Sequence, residues 1–258
     1  MKLASLGSGS KGNATLVRAG DTLVLIDCGF TMRETCYRLE RCGLSPENLA
    51  AIVVTHEHGD HVQGVLPLAR KYGLTVYMTV GTRLAMEATG RHSFKGVAMR
   101  EVRLGQRFSI ADVEVLSVAV PHDAREPCQY LFSFRQQQVG VLTDLGEITP
   151  HVVESYRQCD VLLLEFNHDV VMLEEGPYPY SLKRRVGGPW GHLNNVQAAQ
   201  LLQQVEQERL QHLVLSHISE QNNCPNLALT AATNMGGFDT QRVLVADQEQ
   251  GFDWLNVQ

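Results

Sequence analysis

The chain has six cysteines, at positions 28, 36, 42, 128, 159 and 224, but no Cys-x-x-Cys spacing among them. No secretory signal is expected either: the apolar stretch at residues 2–6 runs at once into Gly-Ser repeats and is too short for a signal core or a membrane span. Both absences point to a reduced, cytoplasmic protein whose cysteines are mostly small core residues. Positive charge is also scarce. Lys and Arg number 22 against 28 Asp and Glu, for a net charge of −6 and a pI near 5.9. A broadly basic nucleic-acid coat is excluded, although a local basic patch is not. There is no low-complexity tract, no long internal repeat and no linker rich in Pro, Gly or Ser. With 258 residues, 44% of them hydrophobic, the chain can bury a sizeable core, and residues 1–258 read as one domain.

Imidazole, by contrast, is concentrated. Thr55-His56-Glu57-His58-Gly59-Asp60-His61 packs three histidines and two carboxylates into one short run, fed by the apolar Ala50-Ala51-Ile52-Val53-Val54. No folding argument asks for so many costly side chains at one strand end. A metal site does, because neutral imidazole and carboxylate hold Zn²⁺, Mn²⁺ or Fe²⁺.

Periodicity and turn residues predict strands over residues 2–6, 14–18, 22–27, 51–54, 75–79, 99–103, 107–110, 113–120, 128–135, 138–143, 160–165, 212–216 and 242–246. Helices are predicted over 31–42, 62–72, 81–88, 149–157, 194–208 and 225–235, with an irregular stretch around 166–191. Two strand-rich groups, each followed by helices, suggest two sheets packed face to face with helices outside. The glycine-rich loop from Gly7 to Asn13 lacks the Gly-Lys-Ser/Thr of a Walker loop. It is either plain turn chemistry or a set of N–H groups facing an anion, which makes Ser8 and Asn13 candidate substrate contacts.

Further candidate ligands sit just past other apolar strands: His122 after Val115–Val120, Asp144 after Val139–Leu142, and His217 after Leu213–Leu215. One rim of a sheet collects such side chains, and this many donors suits two metals better than one. Asp27 also ends a strand, but reads as a supporting group or turn cap rather than a ligand. His92, His151 and His212 have no motif context.

His56-Glu57-His58-Gly59-Asp60-His61 matches the His-x-His-x-Asp-His signature, and the later strand-end groups follow in order. On these residues the chain resembles the metallo-β-lactamase superfamily over nearly its whole length. The resemblance implies an α/β fold, the four-layer αββα sandwich, with two divalent ions (Zn²⁺, Mn²⁺ or Fe²⁺) at one edge. It implies His56, His58 and His122 on one metal, Asp60, His61 and His217 on the other, and Asp144 bridging. Such a pair generates hydroxide near neutrality from a bridging water and neutralises charge on the scissile group, with Asp60 helping to orient that hydroxide. Asp144 stands where class B β-lactamases usually carry Cys, which argues against a lactamase.

Glu165 at the end of Leu162-Leu163-Leu164 and His192 in Gly191-His192-Leu193-Asn194-Asn195 resemble the acid–histidine pair of ribonuclease Z. There Glu165 would orient His192 to donate a proton to a leaving oxygen or to bind the phosphate. His168, Lys183, Arg184, Arg185 and Asn194 are candidate substrate contacts, Asn194 as the cap of a helix whose N–H groups suit an anion. The basic run is either a solvated helix face or a phosphate contact. The N-terminal Gly-Ser-Gly-Ser-x-Gly-Asn, Asn167-His168-Asp169, Leu182-Lys183-Arg184-Arg185 and Gly-His-Leu-x-Asn together resemble a bacterial single-domain branch linked to 5′-to-3′ exonuclease activity on DNA. Asn194 departs from the Ser expected there. No room exists for a β-CASP insertion or a tRNA-binding arm, so any grip on nucleic acid must come from loops around 80–100 and 170–190. The expected function is a metal-dependent phosphodiesterase with DNA as its substrate and no membrane partner. A small-molecule hydrolase of cyclic phosphodiesters, thioesters or lactones is the alternative, and a non-enzymatic regulatory protein is third.

Overall fold

The computed structural model describes residues 1–258. Six strands come first: β1 (Lys2–Gly7), β2 (Ala14–Ala19), β3 (Thr22–Ile26), β4 (Ala51–Val53), β5 (Thr75–Thr79) and β6 (Ala98–Val102). Seven follow: β7 (Arg107–Ile110), β8 (Val113–Ala119), β9 (Cys128–Phe134), β10 (Gln137–Leu142), β11 (Val161–Glu165), β12 (His212–Ser216) and β13 (Val243–Val245). The last, β14 (Phe252–Asn256), returns to the first group. The two sheets have the orders β14-β1-β2-β3-β4-β5-β6 and β13-β12-β11-β10-β9-β8-β7.

Nine α-helices connect them: α1 (Met32–Arg41), α2 (Gly59–Val62), α3 (Val65–Tyr72), α4 (Val80–Ala88), α5 (Pro150–Tyr156), α6 (Val170–Glu175), α7 (Tyr180–Val186), α8 (Asn195–Leu202) and α9 (Pro225–Thr230). Three apolar clusters fill the three gaps between four layers. Leu23, Leu25 and Ile52 pack outward on Leu39 of α1 and Leu68 of α3. Val24, Ile26 and Val53 pack inward on Val139, Val161 and Leu163 of the second sheet. Leu162, Leu164 and Leu215 pack outward on Tyr156 of α5 and Leu202 of α8. Adjacent residues on one strand thus serve different cores, which is why these strands are apolar throughout instead of alternating. The four-layer αββα sandwich expected from the sequence is the fold observed.

Direction matters more than layering. β3, β4, β5 and β6 run parallel, as do β10, β11, β12 and β13. Their C-terminal ends therefore open on one rim, as ligand sites in open parallel sheets do.

Several boundaries differ from expectation. The helix predicted over 62–72 starts only at Val65 as α3, while Gly59–Val62 form the separate short α2. Between them Gly64 donates its N–H to Cys28 O at 2.8 Å, and a Cβ there would stand 2.3 Å from Phe30 O. The helix predicted over 194–208 stops at Leu202. The irregular stretch 166–191 holds α6 and α7, each too short to show periodicity. β14 was not predicted; its pattern is only half-buried.

Gly29 packs against the ligand run. A Cβ there would lie 1.7 Å from Asp60 O, and its N–H donates to Asn13 O at 2.9 Å. Gly29→Ala is expected to destabilise by about 1–3 kcal/mol, the usual range for forced overpacking. It would lower the urea midpoint without changing the slope. An unchanged midpoint would show that the backbone of Asp60 is free to move.

Candidate metal centre

Four histidines of the cluster, His56, His61, His122 and His217, are each held through Nδ1 by a neighbouring group, leaving Nε2 to face the other candidate ligands. Thr55 Oγ1 lies 2.9 Å from His56 Nδ1. Gly191 O takes His122 Nδ1 at 3.0 Å. Asp27 Oδ2 takes His61 Nδ1 at 2.8 Å, and Glu165 Oε1 takes His217 Nδ1 at 2.9 Å. Such outer bonds fix tautomer and ring orientation for metal binding. Asp27 is itself held by the Thr55 N–H and hydroxyl, both at 2.8 Å.

Those Nε2 edges, the Nδ1 edge of His58 and the carboxylates then converge. Three overlapping groups have donor atoms within 4.8 Å of one another: His56, His58 and His122; Asp60, His61 and His217; and His56, His61 and Asp144. Asp144 Oδ2 is 3.5 Å from His61 Nε2, and its Oδ1 is 3.4 Å from His217 Nδ1, so this carboxylate stands between the sets. A fourth group joins Asp144, Glu165, His192 and His217. Asp27, Asp144 and His217 all have left-handed backbone, with φ of 58°, 52° and 51°. Each follows a strand and turns its side chain back over the rim, a conformation that non-glycine residues adopt at a cost.

The electrostatics differ across the cluster. Burial foremost, then the neighbouring rings, holds His56 well below the usual imidazole range; burial likewise lowers His122. Burial also acts to lower His61 and His217, but carboxylates outweigh it. Asp144, Asp60 and Asp27 carry His61 well above its usual range, and Asp144, Asp60 and Glu165 carry His217 up to about 10. The carboxylate-rich half therefore demands positive charge, and the imidazole-rich half offers neutral donors. Asp144 Oδ2 and His217 Nε2 are buried without any hydrogen-bond partner. A divalent cation satisfies all of these, so the donor set fits one.

Glu165, fully buried, is more central than the sequence suggested. One oxygen accepts from His192 Nδ1 at 2.7 Å and His217 Nδ1 at 2.9 Å. The other accepts from the N–H groups of Leu145 at 3.2 Å and Leu193 at 3.1 Å. Burial would raise this carboxyl, but the His192 and His217 rings hold it below the ordinary carboxylate range.

Above the cluster is a cleft of about 360 Å³, lined by His58, Asp60, Asp144, His192 and His217 below and by Tyr178, Leu182, Arg185 and Val186 at the side. Arg185 pairs with Asp123, which also stands 3.7 Å from His58 Nε2. Other candidates lie elsewhere. Ser8 accepts from His217 N–H at 2.9 Å, and Asn13 Nδ2 reaches Asp60 Oδ2 at 3.3 Å and His61 Nε2 at 3.1 Å. Both are buried behind the ligands and do not line the cleft. Their small polar side chains are spent on the ligand scaffold, which corrects their expected place against substrate. Asn194 spends its side-chain oxygen on the N–H of Gln197 at 2.9 Å, capping α8. It shares with His168, Lys183 and Arg184 a groove outside the cleft. The roles of Thr55, Asp123 and the Gly191 carbonyl are not legible in the sequence; only the closeness of Thr55 and Asp123 to candidate ligands hints at them. Asp27 stands as a supporting group, accepting from His61 and Thr55.

Fold and site define a metal-dependent hydrolase of the αββα class. Residues 22–218 match the family described as "Beta-lactamase superfamily domain". Exodeoxyribonuclease YycJ of Bacillus anthracis is 34% identical over 86% of this chain and 84% of its own length. Exodeoxyribonuclease WalJ of Streptococcus pneumoniae serotype 2 (strain D39 / NCTC 7466) is 32% identical over 90% and 87%. The metallo-β-lactamase fold protein YhfI of Bacillus subtilis superposes with a TM-score of 0.75 at 16% identity, covering 98% of each chain. The chain belongs to the metallo-β-lactamase superfamily.

Metal binding should release protons. With a pKa of about 10, His217 is protonated in the metal-free protein near neutrality, and a cation must displace that proton. Low pH favours the proton and high pH the cation. Affinity for Zn²⁺ or Mn²⁺ is therefore expected to rise between about pH 6 and pH 9, by up to about tenfold per unit for each proton displaced. Calorimetric titration in buffers of different ionisation enthalpy measures this. Heats independent of the buffer would contradict it.

Proposed function

We propose that the chain is a dinuclear phosphodiesterase that removes nucleotides from DNA ends, working 5′ to 3′. Zn²⁺, Mn²⁺ or Fe²⁺ would be held by His56, His58 and His122 on one side and Asp60, His61 and His217 on the other, with Asp144 between. The observation that carries the reading is the Glu165 carboxylate shared between His217, a ligand candidate, and His192, which faces the cleft. A lactonase or thioesterase has no need of this second histidine. The exodeoxyribonuclease relatives support DNA as substrate, and the polarity follows the resemblance drawn from the sequence motifs. Residues 1–258 act as one catalytic domain in this reading. The six unpaired cysteines agree with a cytoplasmic setting. No helix is long and apolar enough to cross a membrane.

The chemistry that divalent ions supply in such a site is Lewis-acid activation of water and neutralisation of charge on the phosphoryl group. The chain's own residues do the rest. Asp60 lies at the cleft floor, where its carboxylate orients the attacking water. His192, its Nδ1 fixed on Glu165, presents Nε2 to the leaving oxygen and donates a proton there. Arg185 turns from Asp123 to a phosphate oxygen; a guanidinium binds either anion. The small cleft favours one alternative, hydrolysis of a cyclic or other small phosphodiester, because about 360 Å³ accommodates a single nucleotide without a polymer.

A panel of end-labelled single- and double-stranded DNA, RNA, cyclic nucleotides and bis-para-nitrophenyl phosphate, run with several metals, tests this. DNA labelled at one end should lose mononucleotides in 5′-to-3′ order. Asp144→Ala and His58→Ala should abolish cleavage, and His192→Ala should slow it by about 10²–10⁴-fold, the range for a general acid. Good hydrolysis of a cyclic phosphodiester with no cleavage of any nucleic acid would overturn the nuclease reading.

A further inference from the structure

The run Lys183-Arg184-Arg185 lies on α7, and the helix divides it. Arg185 faces the cleft. Lys183 and Arg184 face a separate groove of about 650 Å³ on the other side of α7. At the wall of that groove is His168, 2% exposed, with an Nδ1 that has no hydrogen-bond partner. A Cβ at Gly187 would stand 3.8 Å from His168 Nε2, so glycine there leaves the ring edge uncovered. Burial foremost lowers His168 to about 4, so near neutrality the ring is uncharged, with both a donor and an acceptor nitrogen. Neither cation is in an ion pair. Lys183 Nζ donates to the main-chain oxygen of Glu174 at 2.6 Å, and the Arg184 guanidinium lies 5.9 Å from the ring centre of Tyr180. Tyr180 is 75% exposed. Glu174 is the single carboxylate lining the groove, so two cations and one acid leave a net positive charge there on a chain whose total is −6.

Cations without acid partners, an open aromatic face and a buried neutral donor–acceptor ring match the parts of one nucleotide: phosphate, base face and base edge. We propose that this second groove binds a nucleotide a few positions along from the scissile phosphate of a single-stranded DNA end, with its phosphate on Lys183 and Arg184 and its base against Tyr180 and His168. The inference rests on the nuclease reading. Cleft and groove are separated by one helix, about 10–12 Å across with its side chains, a gap that a strand crosses within a few nucleotides. The cleft then performs the chemistry, and the groove distinguishes a polymer end from a small phosphodiester.

The test uses metal-loaded protein, single-stranded oligonucleotides of graded length, and a phosphorothioate single strand that resists cleavage as the binding probe. In Lys183→Ala/Arg184→Ala the KM rise over wild type should be at least about tenfold larger for a twelve-nucleotide strand than for a dinucleotide. The slope of log affinity against log salt should shrink by about 1.4, two phosphate contacts at about 0.7 each. Tyr180→Ala should weaken binding by about 5–150-fold, the worth of one base–aromatic stack, and Tyr180→Phe should restore it. Glu174→Lys removes nothing from α7 and should tighten binding. Equal losses on short and long substrates, or no tightening by Glu174→Lys, would overturn the subsite. Wild-type protein that cleaves no oligonucleotide would instead overturn the nuclease reading.

Discussion

Two buried carboxylates hold the centre together, one from each sheet. Asp27 follows β3 and fixes His61; Glu165 ends β11 and fixes His192 and His217. A buried charge is costly unless its oxygens are saturated. Here they are: Asp27 by Thr55 and His61, Glu165 by two rings and two N–H groups. Removing either acid leaves imidazoles free to rotate and buried N–H groups unpaired. The ligands are therefore set in place by the folding of the sheets, before any cation arrives.

The sheets make this arrangement possible through direction. Parallel strands deliver their C-terminal residues to one rim, and apolar cores packed on both faces of each sheet hold those strand ends in place. The rim is also where backbone regularity ends. Three of the residues that turn over it have left-handed φ, a local strain that the packed strands beneath can absorb.

Much of this was legible in the sequence. His56 to His61 announced a metal site because that density has no structural use, and His122, Asp144 and His217 were visible as polar residues closing apolar runs. Two sheets packed face to face with helices outside are legible in two strand-rich groups each followed by helices, and the αββα sandwich is what the resemblance to the metallo-β-lactamase superfamily implies. Less legible were features set by tertiary contact. Nothing local shows that Glu165 serves His217 as well as His192, since the two histidines lie 27 and 52 positions away. Nor does composition show that Ser8 and Asn13 face the ligands from behind, because a glycine-rich loop fits either side of an anion. The helices α6 and α7 were missed because six or seven residues cannot display a 3.6-residue period.

The division of the basic run by α7 means that its information lies in phase, not in composition. Each residue of a helix turns the next by about 100°. Inserting a single alanine before Lys183 would keep every charge and swing Arg185 out of the cleft while another side chain took its place. Relatives that conserve the count of cations but shift them by one position would present a different surface to the same substrate. A loop carrying the same three residues would have no such constraint. On the proposed reading, a helix barely two turns long works as an indexing device, fixing which cation would address the reacting phosphate and which would address one further along the strand.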